Sequence, residues 1–467
     1  MRESAAMPNR FALRSDRVLV DGALRPAVVV IEDGRIADVL GHGELAATSS
    51  PLPVEEVAGV LLPGLVDSHV HVNEPGRTEW EGFETATAAA ASGGVTTLVD
   101  MPLNCIPVTT SRAALDEKLA AVGSLLAVDV GFWGGVVPGN AAELAAMAER
   151  GMLGAKCFLC HSGIDDFPAS REEDLRAAMP VLRDAGVPLL VHAELELTHD
   201  ASGAPIPSCA TAGDVAEYAS YLASRPNLFE DEAIAMVLRL CRETRCPVHV
   251  VHLSSASALP MIRAAKDEGL PFTVETCPHY LCLAAEQIPR GATQFKCAPP
   301  IREAANQELL WRGVEEGVID LVTSDHSPCT PHLKKPEAGD FCGAWGGIAS
   351  LSLGLSSVWS SAHARGLRLE EVVTPMSEEP ARLAGLRGRK GRIARGLDAD
   401  LCVFDPDARW EVTPADLRFR HKVSPYLGVT LRGRVTSTWL RGARVYDGAT
   451  TTPSSGRSIL GRAPAST

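Results

Sequence analysis

The chain is 467 residues long, 46% hydrophobic and 22% charged, so it can bury a large core, and no apolar run reaches the roughly 18 residues that a membrane span needs. Lysine and arginine number 44 against 58 aspartates and glutamates, a net charge of -14 that repels nucleic acid and anionic membrane surfaces and leaves a small neutral or polar substrate as the fitting partner. The amino terminus carries no apolar signal core and the last residues match no sorting signal, so the expected location is cytoplasmic.

Residues 1–59 read as short strands with turn signals, among them Asp33-Gly34 for a hairpin. Similar short β text returns in residues 388–467, ending in a Thr/Ser/Pro/Gly-rich stretch that reads as a flexible tail. Neither flank is large enough for its own core. The economical solution is one small β-sandwich built from both chain ends.

Between them, residues 60–387 alternate apolar strand-like runs with helical stretches, the pattern of repeated βα units. Eight strand candidates fall at 64–72, 95–101, 126–133, 153–159, 187–193, 246–253, 270–276 and 318–324. Eight parallel strands with intervening helices predict an α/β fold of the (β/α)₈ TIM type, with a doubly wound sheet as the alternative. Thr78-Glu-Trp-Glu81 reads as a capping box opening the first helix, which Gly93-Gly94 stops.

In a barrel, reactive groups emerge where strands end. The first strand ends in His69-Val-His71, two imidazoles at strand spacing that face the same way. Lys156, His192, His252 and Asp325 stand near the ends of later strands. Strand parity allows only one of His249 and His252 to enter the mouth, and His252, at the end, is the better ligand; His249 is expected to pack outward beneath a helix. Asp67 lies one layer deeper than His69 and either orients the histidine pair or is an ordinary buried carboxylate. His326 should turn away from a metal held by Asp325, and His42, His199, His332 and His363 read as solvated.

A lysine within the apolar run around Lys156 needs strong compensation. Carbamylation by carbon dioxide would supply it, converting the cation into an anion with two oxygens that can bridge two metal ions. A hydroxide held between two cations is a nucleophile at neutral pH, and Asp325 is placed to accept and return its proton. Twelve cysteines without a compact framework read as reduced thiols. Cys157 and Cys160 read as small core residues, since no second pair and no helix start accompany them.

Pro63-Gly-Leu-Val-Asp-Ser-His-Val-His-Val-Asn-Glu-Pro-Gly76, Met101-Pro-Leu-Asn104, Lys156-Cys-Phe, Val191-His-Ala-Glu194, Cys277-Pro-His-Tyr280, Pro299-Pro-Ile-Arg302, Ser324-Asp-His-Ser-Pro-Cys329, Ala344-Trp-Gly-Gly-Ile348 and His421-Lys-Val-Ser-Pro-Tyr426 together resemble the cyclic amidohydrolases, and within them the members that open allantoin. The resemblance covers nearly the whole chain, in order. It implies hydrolytic opening of the hydantoin ring of allantoin to allantoate, in purine and ureide catabolism, by a hydroxide that two divalent metals activate. It further implies that His69, His71 and Asp325 bind one metal and His192 and His252 the other, with carbamylated Lys156 (N6-carboxylysine) between them and Asp325 shuttling the proton. Zinc is the first expectation, and these donors also suit iron, cobalt or manganese. The resemblance also implies a homotetramer.

For the substrate, Ser327, Asn104, Ala298, Gly347 and His161 are the expected contacts. His161 stands about where related hydantoinases have an oxyanion-stabilising tyrosine, and Ala298 replaces a serine. The segment 330–347 reads as a mobile cover over the mouth. Dihydroorotase, a near relative, carries an arginine two positions after the second histidine to bind a carboxylate, where this chain has Asn73. Hydantoinase or dihydropyrimidinase is the other enzymatic alternative. A catalytically silent scaffold homologue, a third possibility, would have lost ligands, whereas all six are present here.

Overall fold

The computed structural model describes residues 9–44, 52–453 and 455–461. The first strands, β1 (Arg10–Val20), β2 (Ala23–Glu32), β3 (Arg35–Leu40), β4 (Val54–Glu56) and β5 (Val60–Pro63), lie in one sheet with three strands from the other end of the chain. Asp33 and Gly34 both have positive φ at the β2–β3 turn, as the hairpin signal requires.

The barrel follows: β6 (Leu65–Val70), β7 (Val95–Asp100), β8 (Asp129–Phe132), β9 (Gly134–Gly135), β10 (Ala155–Phe158), β11 (Leu189–His192), β12 (Val248–Val250), β13 (Phe272–Thr276) and β14 (Leu321–Val322). All neighbouring pairs are parallel. β8 and β9 are separated only by Trp133, so they count as one strand of a ring of eight. The ring closes where Val70 bridges His326 and the His71 amide donates to the His326 carbonyl at 2.8 Å. The strands are buried almost throughout, as expected of a parallel sheet covered on both faces.

The last three strands, β15 (Leu401–Glu411), β16 (Thr430–Leu440) and β17 (Ala443–Tyr446), return to the first sheet, which runs β17-β16-β15-β5-β1-β2-β3 with β4 beside β1. Leu61 pairs with Val403 at the junction of the two chain ends. Phe11, Leu13, Val29, Leu61, Val403 and Trp439 form a core of their own there. The boundary expected at residue 60 therefore falls after Pro63. The apolar run of β5 and β6 is continuous in sequence, and only its pairing partners reveal the change of sheet.

Lys390 ties the two parts together, its buried ammonium lying 2.8 Å from Asp129 and 3.1 Å from Asp398. The expected flexible tail is partly structured. Ile459 is buried, and its amide donates to the Val130 carbonyl at 2.7 Å while Val130 donates to the Arg457 carbonyl at 3.0 Å. Burying such a side chain is worth roughly 1.5–3 kcal/mol, which the polar composition around it conceals. The capping box at Thr78 is also absent: the helix begins at Phe83 after Gly82, and Glu74 accepts the Phe83 amide at 2.8 Å. Glu81 is drawn inward instead, to the Arg420 amide and the Thr85 hydroxyl.

Candidate active site at the barrel mouth

The six expected donors lie around one end of the barrel. His69 Nε2 is 3.1 Å from Lys156 Nζ and 3.2 Å from Asp325 Oδ1, which is 3.5 Å from His71 Nε2. On the other side His192 Nδ1 meets His252 Nε2 at 2.9 Å, and the His69 and His252 rings are 5.3 Å apart. Donor atoms of His69, His252 and Asp325 lie mutually within 4.8 Å, close enough for a single cation to collect them. All six side chains are almost completely buried.

Burial sets the electrostatics. It pushes His71 down to about 4 and holds His192 and His252 below the ordinary histidine range, so these rings are neutral at pH 7 and carry free lone pairs. Burial opposes the charge of Asp325, but His69, His71 and His252 outweigh it and keep the carboxyl well below its usual range. The Lys156 ammonium, buried beside Phe158, is pushed down to about 8. Neutral imidazoles, one carboxylate and an easily deprotonated amine make a donor set that suits divalent metal.

The first pair obeys strand parity, and the second does not. His249 points into the barrel, not outward: its Nδ1 is 2.8 Å from Thr273 Oγ1 and its Nε2 3.1 Å from Glu275 Oε2. The reason is His252 itself, whose φ of 40° breaks the strand and returns its ring to the side that His249 already faces. Asp67 holds backbone, accepting the His69 amide at 3.1 Å and the Ser324 amide at 3.3 Å. His326 turns away as expected. Its Nδ1 accepts from the Ser350 amide, and its Nε2 is 3.4 Å from Glu81.

Two carboxylates went unassigned in the sequence reading. Glu194 takes His192 Nε2 at 2.7 Å and is itself gripped by the Arg225 guanidinium. Glu275 takes His69 Nδ1, His249 Nε2 and the His252 amide. The i,i+2 spacing of His192 and Glu194 is the same signal as that of His69 and His71. Glu275 shows only as a charge within an apolar strand, as Lys156 does.

Outside the donors opens a cleft of about 860 Å³. Asn104, Ser327, Ala298 and Gly347 all line it. Ser327 Oγ donates to Asp325 Oδ1 at 2.7 Å, Asn104 Nδ2 lies 3.5 Å from His71 Nδ1, and Asn104 Oδ1 is buried without a partner. His161 is at the rim, its side chain 58% exposed and 3.3 Å from Asp165, so it faces solvent more than the donors. Asn73 does not line the cleft; it is buried with its amide 3.3 Å from the Pro328 carbonyl.

The segment expected to be a mobile cover is tied down. Lys334 Nζ donates to the Lys296 and Trp345 carbonyls at 3.1 and 3.0 Å, and Lys296 Nζ to those of Cys342 and Ala344 at 3.0 and 2.7 Å. Cys342 is disulfide-bonded to Cys209 across the cleft wall, contrary to the expectation that all thiols are free. The ten other cysteines are free; burial pushes Cys157 and Cys160 up to about 12, which suits inert core thiols.

Residues 60–445 match the amidohydrolase family. The chain belongs to that family. Amidohydrolase relatives match it nearly end to end: it is 49% identical over 456 residues to a protein of Streptomyces avermitilis named allantoinase, covering 97% of this chain and 99% of that one. It is 46% identical to the allantoinase of Saccharomyces cerevisiae, over 94% and 95% of the two chains. Among solved amidohydrolase structures, the L-hydantoinase (dihydropyrimidinase) from Arthrobacter aurescens superposes with a TM-score of 0.89 at 29% identity, over 97% of this chain and all of that one. These comparisons identify the protein as a hydrolase built on a TIM-type barrel with a β domain, and among the described residues no helix is long and apolar enough to cross a membrane.

Proposed function

We propose that this amidohydrolase opens the hydantoin ring of allantoin to allantoate, using two divalent cations held by His69, His71, His192, His252, Asp325 and a carbamylated Lys156. The observation that carries the reading is the convergence of Lys156 Nζ and Asp325 Oδ1 on His69 Nε2, at 3.1 and 3.2 Å, in a chain alike end to end to proteins named allantoinase. Bound there, the cations would polarise the ring carbonyl and lower the pKa of water between them. Zinc is the first choice, and iron, cobalt or manganese would serve with the same donors.

The chain's own residues supply the rest. Asp325, ionised at neutral pH and fixed by Ser327 Oγ, takes the proton of the attacking water and returns it to the departing ring nitrogen. Asn104 Oδ1, buried without a partner, is an acceptor for a ring or ureido N–H. The backbone groups beside Ala298 and Gly347, with Ser327, offer further neutral contacts along the cleft. The cations that also line the cleft are committed elsewhere, Arg225 to Glu194, Lys296 to the Cys342 and Ala344 carbonyls and Lys335 to Asp340, so these neutral contacts favour allantoin over a carboxylate-bearing ring such as dihydroorotate. A cytoplasmic homotetramer belongs to the same reading.

The deciding experiment sets allantoin, dihydroorotate and an unsubstituted hydantoin against the purified protein, with metal content measured on the same sample. Allantoin is expected to have the highest kcat/KM. Faster turnover of either alternative would move the chain to the corresponding branch.

A further inference from the structure

Glu275 is fully buried on β13, beneath the donors and outside the cleft lining. Oε1 faces both His69 Nδ1 and the His252 amide, the latter at 3.3 Å, and Oε2 lies 3.1 Å from His249 Nε2. An ionised carboxylate can only accept, so each nitrogen hydrogen-bonded to Glu275 carries a proton. His69 is thereby fixed as the tautomer with its proton on Nδ1 and its lone pair on Nε2, the atom that meets Lys156 and Asp325. The same oxygen anchors the amide of His252, whose φ of 40° is sustained only where surrounding contacts determine it.

From this geometry we infer that Glu275 is a positioning residue that sets both histidine pairs at once: His69 through its ring, and His252 through its backbone. Apart from Asp325, itself one of the six donors, no other described carboxylate is hydrogen-bonded to members of both pairs. Glu194 serves His192 alone, and Asp67 holds only the His69 and Ser324 amides. The inference rests on the proposed reading that these histidines hold cations. A glutamine here presents one acceptor and one donor. If the donor faces His69 Nδ1, the ring must carry its proton on Nε2 and loses the lone pair that a cation needs.

The test is a titration of metal-stripped protein with Co²⁺, followed by visible absorption and elemental analysis, for the parent, Glu275→Gln and Asp129→Asn. Asp129 is an equally buried carboxylate at the start of β8, paired with Lys390 and Arg441 and with none of the six donors. The half-saturating Co²⁺ concentration is expected to rise about 10–100-fold in Glu275→Gln. Asp129→Asn should lower the melting temperature and leave that concentration unchanged. In the reloaded enzyme, Glu275→Gln should lower kcat with KM little changed, since Glu275 does not reach the cleft.

Parental half-saturation in Glu275→Gln, or an equal loss in Asp129→Asn, would overturn the role while leaving the metal reading intact. A parent that takes up no cation removes both. Should Glu275→Gln fail to fold, Glu275→Asp, which keeps two acceptor oxygens but withdraws them by one methylene, replaces it, and parental half-saturation there is again the overturning result.

Discussion

His192 Nδ1 and His252 Nε2 stand 2.9 Å apart, while Glu194 occupies the other nitrogen of His192 at 2.7 Å. With that carboxylate ionised, the His192 proton sits on Nε2 and the Nδ1 lone pair points toward the space it shares with His252. His69 is held the opposite way, with Glu275 on Nδ1 and the unprotonated Nε2 facing Lys156. Two buried carboxylates thus impose opposite tautomers on two histidines, turning the His192 lone pair toward His252 and the His69 lone pair toward Lys156 and Asp325.

Lys156→Ala removes the proposed bridge. Elemental analysis should find well under two metal ions per chain in this variant, with activity lost in parallel. Two retained ions would exclude Lys156 as a shared ligand.

The same lysine predicts a pH dependence. Carbon dioxide reacts only with the neutral amine, whose fraction rises as pH passes through the value of about 8 to which burial lowers Lys156. Metal-free, decarbamylated protein should therefore regain activity on adding bicarbonate and metal faster at pH 8.5 than at pH 6.5. Equal rates after correction for dissolved carbon dioxide would argue against carbamylation.

Asp325→Asn leaves the side chain's size but removes its basicity. kcat should fall about 10²–10⁴-fold, the usual loss for a proton carrier. Metal content measured on the same sample separates loss of the base from loss of a ligand. Activity within tenfold of the parent, well short of the roughly hundredfold lower margin for general-base loss, would rule Asp325 out as the proton carrier.

Cys209 and Cys342 join two cleft-wall segments that are 133 residues apart. Replacing both with serine should destabilise the fold by roughly 2–4 kcal/mol. It should also raise KM for allantoin more than it changes kcat, because the bond shapes the cleft and touches none of the six donors. A change confined to kcat would place the effect on the chemistry instead.

Strand windows were legible because alternation and apolar runs are local properties: each barrel strand from β6 to β14 falls within its expected window except β9, which lies just past the end of the third. The six residues that meet at the mouth were legible for the same reason, each being a polar residue at the end of an apolar run. The disulfide, the tied-down cleft wall and the ordered stretch around Ile459 were not, because each depends on a partner far along the chain.

By itself, the sequence determined the order of strands, the barrel they form and the residue types at its mouth, since these follow from periodicity over a few neighbours. Only the tertiary structure decided what holds those residues in aim. Glu275 and His69 are 206 positions apart, and a positive φ at His252 puts its ring on the same side as His249, where strand parity predicts opposite sides. A buried carboxylate chooses its hydrogen-bond partners by what folding brings within about 3 Å, and no local pattern encodes that choice.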